Sequence, residues 1–388
     1  MALGGKIRVQ TPMALVVLEK GLGEIVHVLR KYLQLDMGDS AVSDLTQALD
    51  TSNMTSSKVR VGAVQAEPVW LDLQGSVEKT IGIIKQAAQD GVQVLGFAEV
   101  SIPGYPWAIW TKSVVENTEL IHRYMANSLA RVSPEMDRIR AAIKDAGIFV
   151  VLGYSERDGA SLYIAQSFID TTGEIIHHRR KIKPTHVERS IWGDGQADSL
   201  KSVVDTPFGK VGALNCWEHL QPLLRYYEYS QGVQIHVAGW PPMFPDPDPS
   251  ELKWPYHETD VANLLTSQFL AIEGQAFVLV ATQVVTEANL EKLNMAGGFP
   301  LFKVVSIPLS VPSCEFARRG VLHDFRPRWS PVGESLAGGR GRILTADIDL
   351  ADIDYAKGMI DTVGHYSRPD LLSLNVNFKP AKIVSEME

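Results

Sequence analysis

The sequence predicts an α+β fold in which mixed β-sheets lie beneath outer helices. From Val59 onward, short apolar segments of strand character alternate with amphipathic helical ones. Hairpin signals interrupt that alternation, which rules out a purely parallel sheet. Two mixed sheets with helices outside them would bury this many apolar strands. The 388 residues suffice for one large domain or two ordinary ones, and 45% hydrophobic with 21% charged residues is the balance of a soluble globular protein.

In chain order, residues 13–35 have helical spacing, with Leu15, Leu18, Leu22, Ile25, Leu29 and Leu33 on one broad face. Residues 36–53 are polar and turn-rich, and Met54-Thr55-Ser56-Ser57-Lys58 has the look of a second chain start. Residues 1–53 are therefore an N-terminal extension, read either as a helical arm or as a segment foreign to the domain at 54–374. Strands are expected at 59–65, 92–98, 148–153, 162–170, 174–180, 202–205, 210–215, 234–238, 276–283 and 343–349. Helices are expected at 74–89, 118–130, 133–146, 221–230, 257–273 and 350–360, with Gly91 closing the first and Ser133-Pro134-Glu135 opening the third. Thr171-Thr172-Gly173 and Pro207-Phe208-Gly209 mark hairpins, residues 245–255 form a proline- and aspartate-rich loop, and residues 375–388 form a tail.

A formal net charge of −8 argues against general nucleic-acid affinity. The two cysteines, Cys216 and Cys314, make no disulfide framework and fit a reducing compartment. Apolar runs fall short of a membrane span and the N-terminus lacks a signal-peptide layout, so a cytosolic location is expected.

Three expected strand ends carry reactive groups: Glu99, the Arg179-Arg180-Lys181 run and Cys216. A thiol between a strand and a helix sits near the positive helix terminus, where a thiolate is favoured; the plainer alternative is a buried structural cysteine. A carboxylate could serve it as base and an ammonium could stabilise an anionic intermediate. Periodicity leaves open which of Arg179, Arg180, Lys181 or Lys183 points inward. Tyr105, Trp107, Trp110, Trp192 and Trp217 could line an apolar pocket, although core packing accounts for most aromatics. Cys216 and His219 have ligand-like spacing, with His177, His178, His186 and His236 also in the sequence, but no second Cys/His pair completes a metal set. No metal and no cofactor are expected.

Several blocks together resemble one family. They are Val59–Gln65 with Glu67-Pro68, the Glu99 segment with Ile102-Pro103-Gly104-Tyr105-Pro106, the run from His178 to Arg189 containing Pro184-Thr185-His186-Val187-Glu188, Asn215-Cys216-Trp217-Glu218-His219, and Gly364-His365-Tyr366-Ser367-Arg368-Pro369-Asp370. Their order and content resemble the nitrilase superfamily of carbon–nitrogen hydrolases, in its nitrilase and cyanide hydratase branch.

The resemblance implies a four-layer α-β-β-α sandwich. It also implies a catalytic set of Glu99 as general base, Lys181 as the cation beside the intermediate, Cys216 as nucleophile and Glu188 as an orienting carboxylate. Tyr105, Trp192, Trp217 and His219 are expected around the substrate. The implied activity is hydrolysis of a small-molecule nitrile to acid and ammonia through a thioimidate and a thioester. Alternatives are a hydratase releasing amide, an amidase, or an inactive member that only assembles. Homodimers stacking into spirals are also implied. Phe97-Ala98-Glu99 stands where the family often has Phe-Pro-Glu. Residues 295–342 lose the family pattern, as either a divergent insertion or a frame-shifted segment.

Overall fold

The computed structural model describes residues 57–243, 250, 253, 255–286, 289 and 341–381. These belong to the compact unit Ser57–Glu388. The predicted extension at 1–53, Cys314, most of the divergent stretch at 295–342, most of the loop at 245–255 and the end of the tail lie outside the described residues.

Ten strands are described: β1 (Lys58–Ala66), β2 (Val94–Gly96), β3 (Phe149–Asp158), β4 (Ser161–Ile169), β5 (Ile175–Arg180), β6 (Val203–Thr206), β7 (Gly209–Asn215), β8 (Ile235–Gly239), β9 (Phe277–Gln283) and β10 (Gly341–Asp349). They follow one path, β5-β4-β3-β2-β1-β9-β8-β7-β6, with β10 antiparallel along the full length of β1. The two sheets expected from the sequence are the two halves of this path. Their junction is short, with only Gln65↔Thr282 and Ala66↔Gln283 pairing between β1 and β9. β1–β2–β3 and β7–β8–β9 are parallel, while β3–β4–β5 and β6–β7 are antiparallel.

The halves lie face to face. Val61, Val94, Phe149, Val151 and Phe168 pack against Val211, Ala213, Ile235, Val237 and Leu279 in one core layer. The spacing is tight at Gly96, where an added Cβ would lie 2.6 Å from a Val237 methyl. Helices α1 (Leu73–Gln89), α2 (Thr118–Ala126), α3 (Pro134–Ala146), α4 (Pro222–Ser230), α5 (Asp260–Gly274) and α6 (Ala351–Met359) accompany the strands. α1 and α3 cover one sheet through Val77, Ile84, Met136, Ile139 and Ile143. Burying each such side chain stabilises the fold by about 1.5–3 kcal/mol. Tyr229 of α4 and Leu270 of α5 cover the other with Val203 and Val233. The result is the four-layer α-β-β-α sandwich.

Local chemistry sets the ends. Asp72 caps α1 by accepting from the Gly75 N–H at 2.9 Å, and Ser133 caps α3 by accepting from Met136 at 3.2 Å. Gly147 ends α3 with φ 66°, a left-handed conformation that glycine adopts cheaply. Several boundaries differ from the sequence expectation, and four of the changes have a visible cause. α2 stops early because Leu129 pairs with Ser155 and Arg157 of β3 instead. β3 runs beyond Gly153 to Asp158 because its polar end zips against β4, down to Asp158↔Ser161. The strand expected at 92–98 is regular only over Val94–Gly96, before the chain turns toward Glu99. The helix expected from His257 begins at Asp260, capped by Thr259, with Tyr256–Glu258 as a separate 3-10 turn.

Candidate active site

Glu99 lies just past β2 and is completely buried. Its backbone presses on β3, where an added Cβ on Gly153 would collide with the Ala98 carbonyl oxygen. Gln283, the last residue of β9, donates to the carbonyls of Glu99 at 2.5 Å and Val100 at 3.1 Å, and accepts from the Tyr105 N–H at 3.1 Å. The strand end is thus clamped between β3 and the end of β9.

Lys181 follows β5 directly. Strand alternation resolves the basic run that periodicity left open. Arg179 and Lys181 point inward and are buried, Arg180 reaches outward to Glu156 and Asp158, and Lys183 pairs with Asp194 at the surface. Cys216 follows β7 in a 3-10 turn, Cys216–Leu220, that separates it from α4. Its backbone is left-handed, φ 47°, which is costly for a residue with a Cβ. Glu218 secures that turn. It accepts from the Asn215 N–H at 2.9 Å, from the Ile182 N–H at 2.9 Å and from both ends of the Arg179 guanidinium at 2.8 and 2.7 Å. Glu188 sits in the 3-10 turn His186–Ser190, its carboxylate fixed by the Thr185 N–H at 2.6 Å and the Tyr105 hydroxyl at 3.0 Å.

These elements bring four predicted residues to one point. The Lys181 ammonium donates to Glu99 at 2.8 Å and to Glu188 at 2.9 Å. One carboxylate oxygen each from Glu99 and Glu188 and the Cys216 sulfur all lie within 4.8 Å of one another. Such a set would suit a metal ion by distance, but the ammonium already bridges the two carboxylates. A further cation would meet it at close range.

Burial pushes the Glu99 carboxyl up to about 8, against the pull of Lys181. Burial pulls Lys181 down, but Glu188 and Glu99 outweigh it and hold the ammonium well above the usual lysine value. The thiol departs from the sequence expectation. Burial raises Cys216 well above the ordinary cysteine value, with Lys181 pulling the other way. The intervening 3-10 turn leaves the sulfur away from the first turn of α4, so burial decides. Burial thus favours the neutral thiol, and beside it the Glu99 oxygen Oε2 accepts no hydrogen bond from the described residues.

The four residues expected around the substrate are placed differently from one another. Tyr105 bridges Glu188 and the Trp110 indole N–H, which donates to its hydroxyl at 3.0 Å. Trp192 is buried in the aromatic cluster of Tyr105 and Tyr124, its indole N–H given to Ser155 at 3.0 Å. Trp217 is half-buried next to Cys216 and meets the His257 ring at 5.6 Å between centroids. His219 offers no free ring nitrogen. One faces the Cys216 carbonyl at 2.5 Å, the other His236 at 2.9 Å, and its ring stacks on Trp240. Of the other candidate metal ligands, His177 faces the Lys201 carbonyl and His178 faces Glu156, while the exposed His186 stacks on Trp110 away from them.

Sequence reading missed Glu258. It is buried, and its carboxyl is pushed up to about 7 by burial and then by the charge of Glu188. Its negative charge in turn raises Cys216 and Tyr105. No periodic signal marks it, because it lies in a short turn behind a proline-rich loop. The Arg179–Glu218 pair was missed because its partners are distant in sequence.

Residues 60–320 match the family model for carbon–nitrogen hydrolases. A nitrilase of Talaromyces marneffei is 62% identical over 330 residues, which is 85% of this chain and 98% of that protein. A cyanide hydratase of Armillaria gallica is 46% identical over 337 residues, 86% of this chain and 90% of that protein. The crystal structure of a carbon–nitrogen hydrolase from Helicobacter pylori shares the fold, with a TM-score of 0.58 at 16% identity, covering 81% of this chain and 96% of that one. With the buried Glu99–Lys181–Glu188–Cys216 cluster already in place, these matches establish that the chain belongs to the nitrilase and cyanide hydratase branch of the carbon–nitrogen hydrolases.

Proposed function

We propose that this protein hydrolyses small organic nitriles to carboxylic acid and ammonia, with Cys216 as nucleophile. The observation that carries this reading is the buried convergence of one thiol, two carboxylates and one ammonium. Glu99 takes the Cys216 proton as the sulfur adds to the nitrile carbon, and returns it to the nitrogen, giving a thioimidate. Glu99 then accepts a proton from water, whose oxygen adds to the same carbon, and passes that proton and afterwards the hydroxyl proton to the nitrogen. Collapse of the tetrahedral species expels ammonia and leaves a thioester, and a second water releases the acid and restores the thiol. Lys181 holds its positive charge beside the developing anion throughout, and Glu188 keeps Lys181 in register. No cofactor enters this scheme.

The tetrahedral species can also expel the thiol instead of ammonia, releasing an amide. The similarity to a cyanide hydratase supports that second exit. Incubating the protein with aliphatic, aromatic and arylaceto nitriles and with cyanide, while quantifying acid, amide and ammonia, tests both. Acid with equimolar ammonia supports the first reading and amide alone the second. No turnover of any nitrile contradicts both.

Two further parts belong to this reading. Val261, Leu265, Phe269 and Ile272 lie on one face of α5, an exposed apolar face that suits a homodimer contact. Sedimentation of the parent against Phe269→Glu tests it: a dimer that the variant splits supports the contact, and identical behaviour contradicts it. Among the described residues no helix is long and apolar enough to cross a membrane. With the cysteine usage, that supports a cytosolic location, which imaging of a tagged chain would check.

A further inference from the structure

Behind Cys216 lies a row of three buried side chains that the proposed chemistry does not use. Glu228 of α4, His236 of β8 and His219 are all fully buried. The Glu228 carboxylate lies 2.8 Å from His236 Nδ1, His236 Nε2 lies 2.9 Å from His219 Nε2, and His219 Nδ1 lies 2.5 Å from the Cys216 carbonyl oxygen. We propose that Glu228, His236 and His219 are positioning residues, a proton-ordered row that holds the Cys216 carbonyl and so keeps the nucleophile in its left-handed backbone conformation. This rests on the reading of Cys216 as nucleophile.

The order of protons follows from the partners. A carbonyl oxygen only accepts, so His219 Nδ1 carries a hydrogen. Burial and then the neighbouring His236 hold His219 well below the ordinary histidine value, which keeps it neutral. Its Nε2 is therefore an acceptor and His236 Nε2 must donate. That leaves one proton between His236 Nδ1 and the Glu228 carboxyl, and with it every nitrogen in the row is satisfied. Remove the acidic end, and His236 is free to take the opposite tautomer. Two nitrogen lone pairs would then face each other at 2.9 Å.

The surroundings are shaped for this row. His236 pairs in register with Gly212 of β7, and an added Cβ on Gly212 would collide with the Glu228 carboxylate. Trp240 stacks on the His219 ring at 5.0 Å and an interplanar angle of 20°, which prevents it from swinging. Arg225 donates to the His219 carbonyl at 2.8 Å and fixes the other end of the turn. A left-handed non-glycine residue persists only where its neighbours over-determine it, and this row supplies such a constraint on Cys216.

The test uses two pairs of substitutions in the full chain. Asparagine reproduces the Nδ1 donor of histidine and glutamine its Nε2 end. His219→Asn should therefore keep kcat within about fivefold of the parent, whereas His219→Gln should lose about a hundredfold with KM changed less than about threefold. Glu228→Leu should lose kcat by at least about tenfold, and Glu228→Gln, whose amide can donate to His236 Nδ1, should restore most of it. Circular dichroism confines the comparison to folded protein. Nitrogen-15 spectra of the histidines should show the His219 tautomer preserved in Glu228→Gln and altered in Glu228→Leu. Equal activity of His219→Asn and His219→Gln, or equal loss in both Glu228 variants with unchanged tautomers, overturns the proposal. If the parent turns over no nitrile, the proposed function fails. The row is then still decided by the tautomers and by the alkylation rate of Cys216, read on its own peptide, which should fall in His219→Gln and hold in His219→Asn; equal rates overturn it.

Discussion

Arg179 and Glu218 form a two-pronged buried ion pair, at 2.8 and 2.7 Å, that ties the β5 end carrying Lys181 to the turn carrying Cys216. The same carboxylate accepts from the N–H groups of Ile182 and Asn215. One side chain therefore sets the spacing between the ammonium and the sulfur. Arg179 and its neighbours hold Glu218 below the usual carboxylate range, although burial alone would raise it.

Arg179→Met leaves that carboxylate buried without its cation. We expect a loss of about 3–5 kcal/mol in stability, measured by denaturant unfolding, together with a fall in kcat. Converting Arg179 and Glu218 to methionine together should recover much of the stability but not the activity, because the backbone ties to Ile182 and Asn215 are still missing. Full recovery of both would show that the pair does not space the site.

Gly153 tests the Glu99 strand end. Its missing side chain leaves room for the Ala98 carbonyl, so Gly153→Ala forces the backbone beneath Glu99 to move. The expected cost is about 1–3 kcal/mol of stability, with a drop in kcat that is out of proportion to it. Unchanged kinetics in a folded variant would mean that Glu99 is not positioned through this contact.

The pH profile follows from Glu99. Its carboxyl is raised to about 8 in the fold, and only the ionised form can accept the thiol proton. As pH falls below that value the proton occupies the base, so kcat/KM should drop about tenfold per pH unit and level off above it. A flat profile between about pH 6 and 9 would exclude Glu99 as the base.

Much of the scaffold was legible because local signals agreed. Val59–Gln65 alternates, Ser133 and Pro134 open α3, Gly91 takes φ 76° after α1, and Thr171-Thr172-Gly173 turns a hairpin. Glu99, Lys181 and Cys216 could be marked as strand-end residues, but choosing Lys181 among four cations required either family resemblance or the strand register itself. What the sequence hid depends on packing between distant segments. Glu258 reaches the site only because its turn folds in before α5, and His236 reaches His219 only because β8 lies beside β7. The thiol was expected to be acidic from its place before a helix. Complete burial reverses that, and burial is a property of the whole fold.

Glu258 offers a prediction that no local signal supplied. Its charge raises the Cys216 thiol, so Glu258→Gln should lower it and speed iodoacetamide labelling of Cys216 by about threefold at a pH near 8.5. Because its own carboxyl titrates at about 7, the difference should vanish near pH 6, where the parent is already neutral. A difference that persists at the lower pH would point to packing rather than charge.

Mass spectrometry of the protein, quenched in acid during turnover of a nitrile, reads directly whether Cys216 forms a covalent bond to the substrate carbon. An added acyl or imidoyl group is expected on the peptide containing Cys216, together with a fall of at least about a thousandfold in ammonia release by a folded Cys216→Ala variant. An adduct on another residue, or steady turnover by Cys216→Ala, would contradict it.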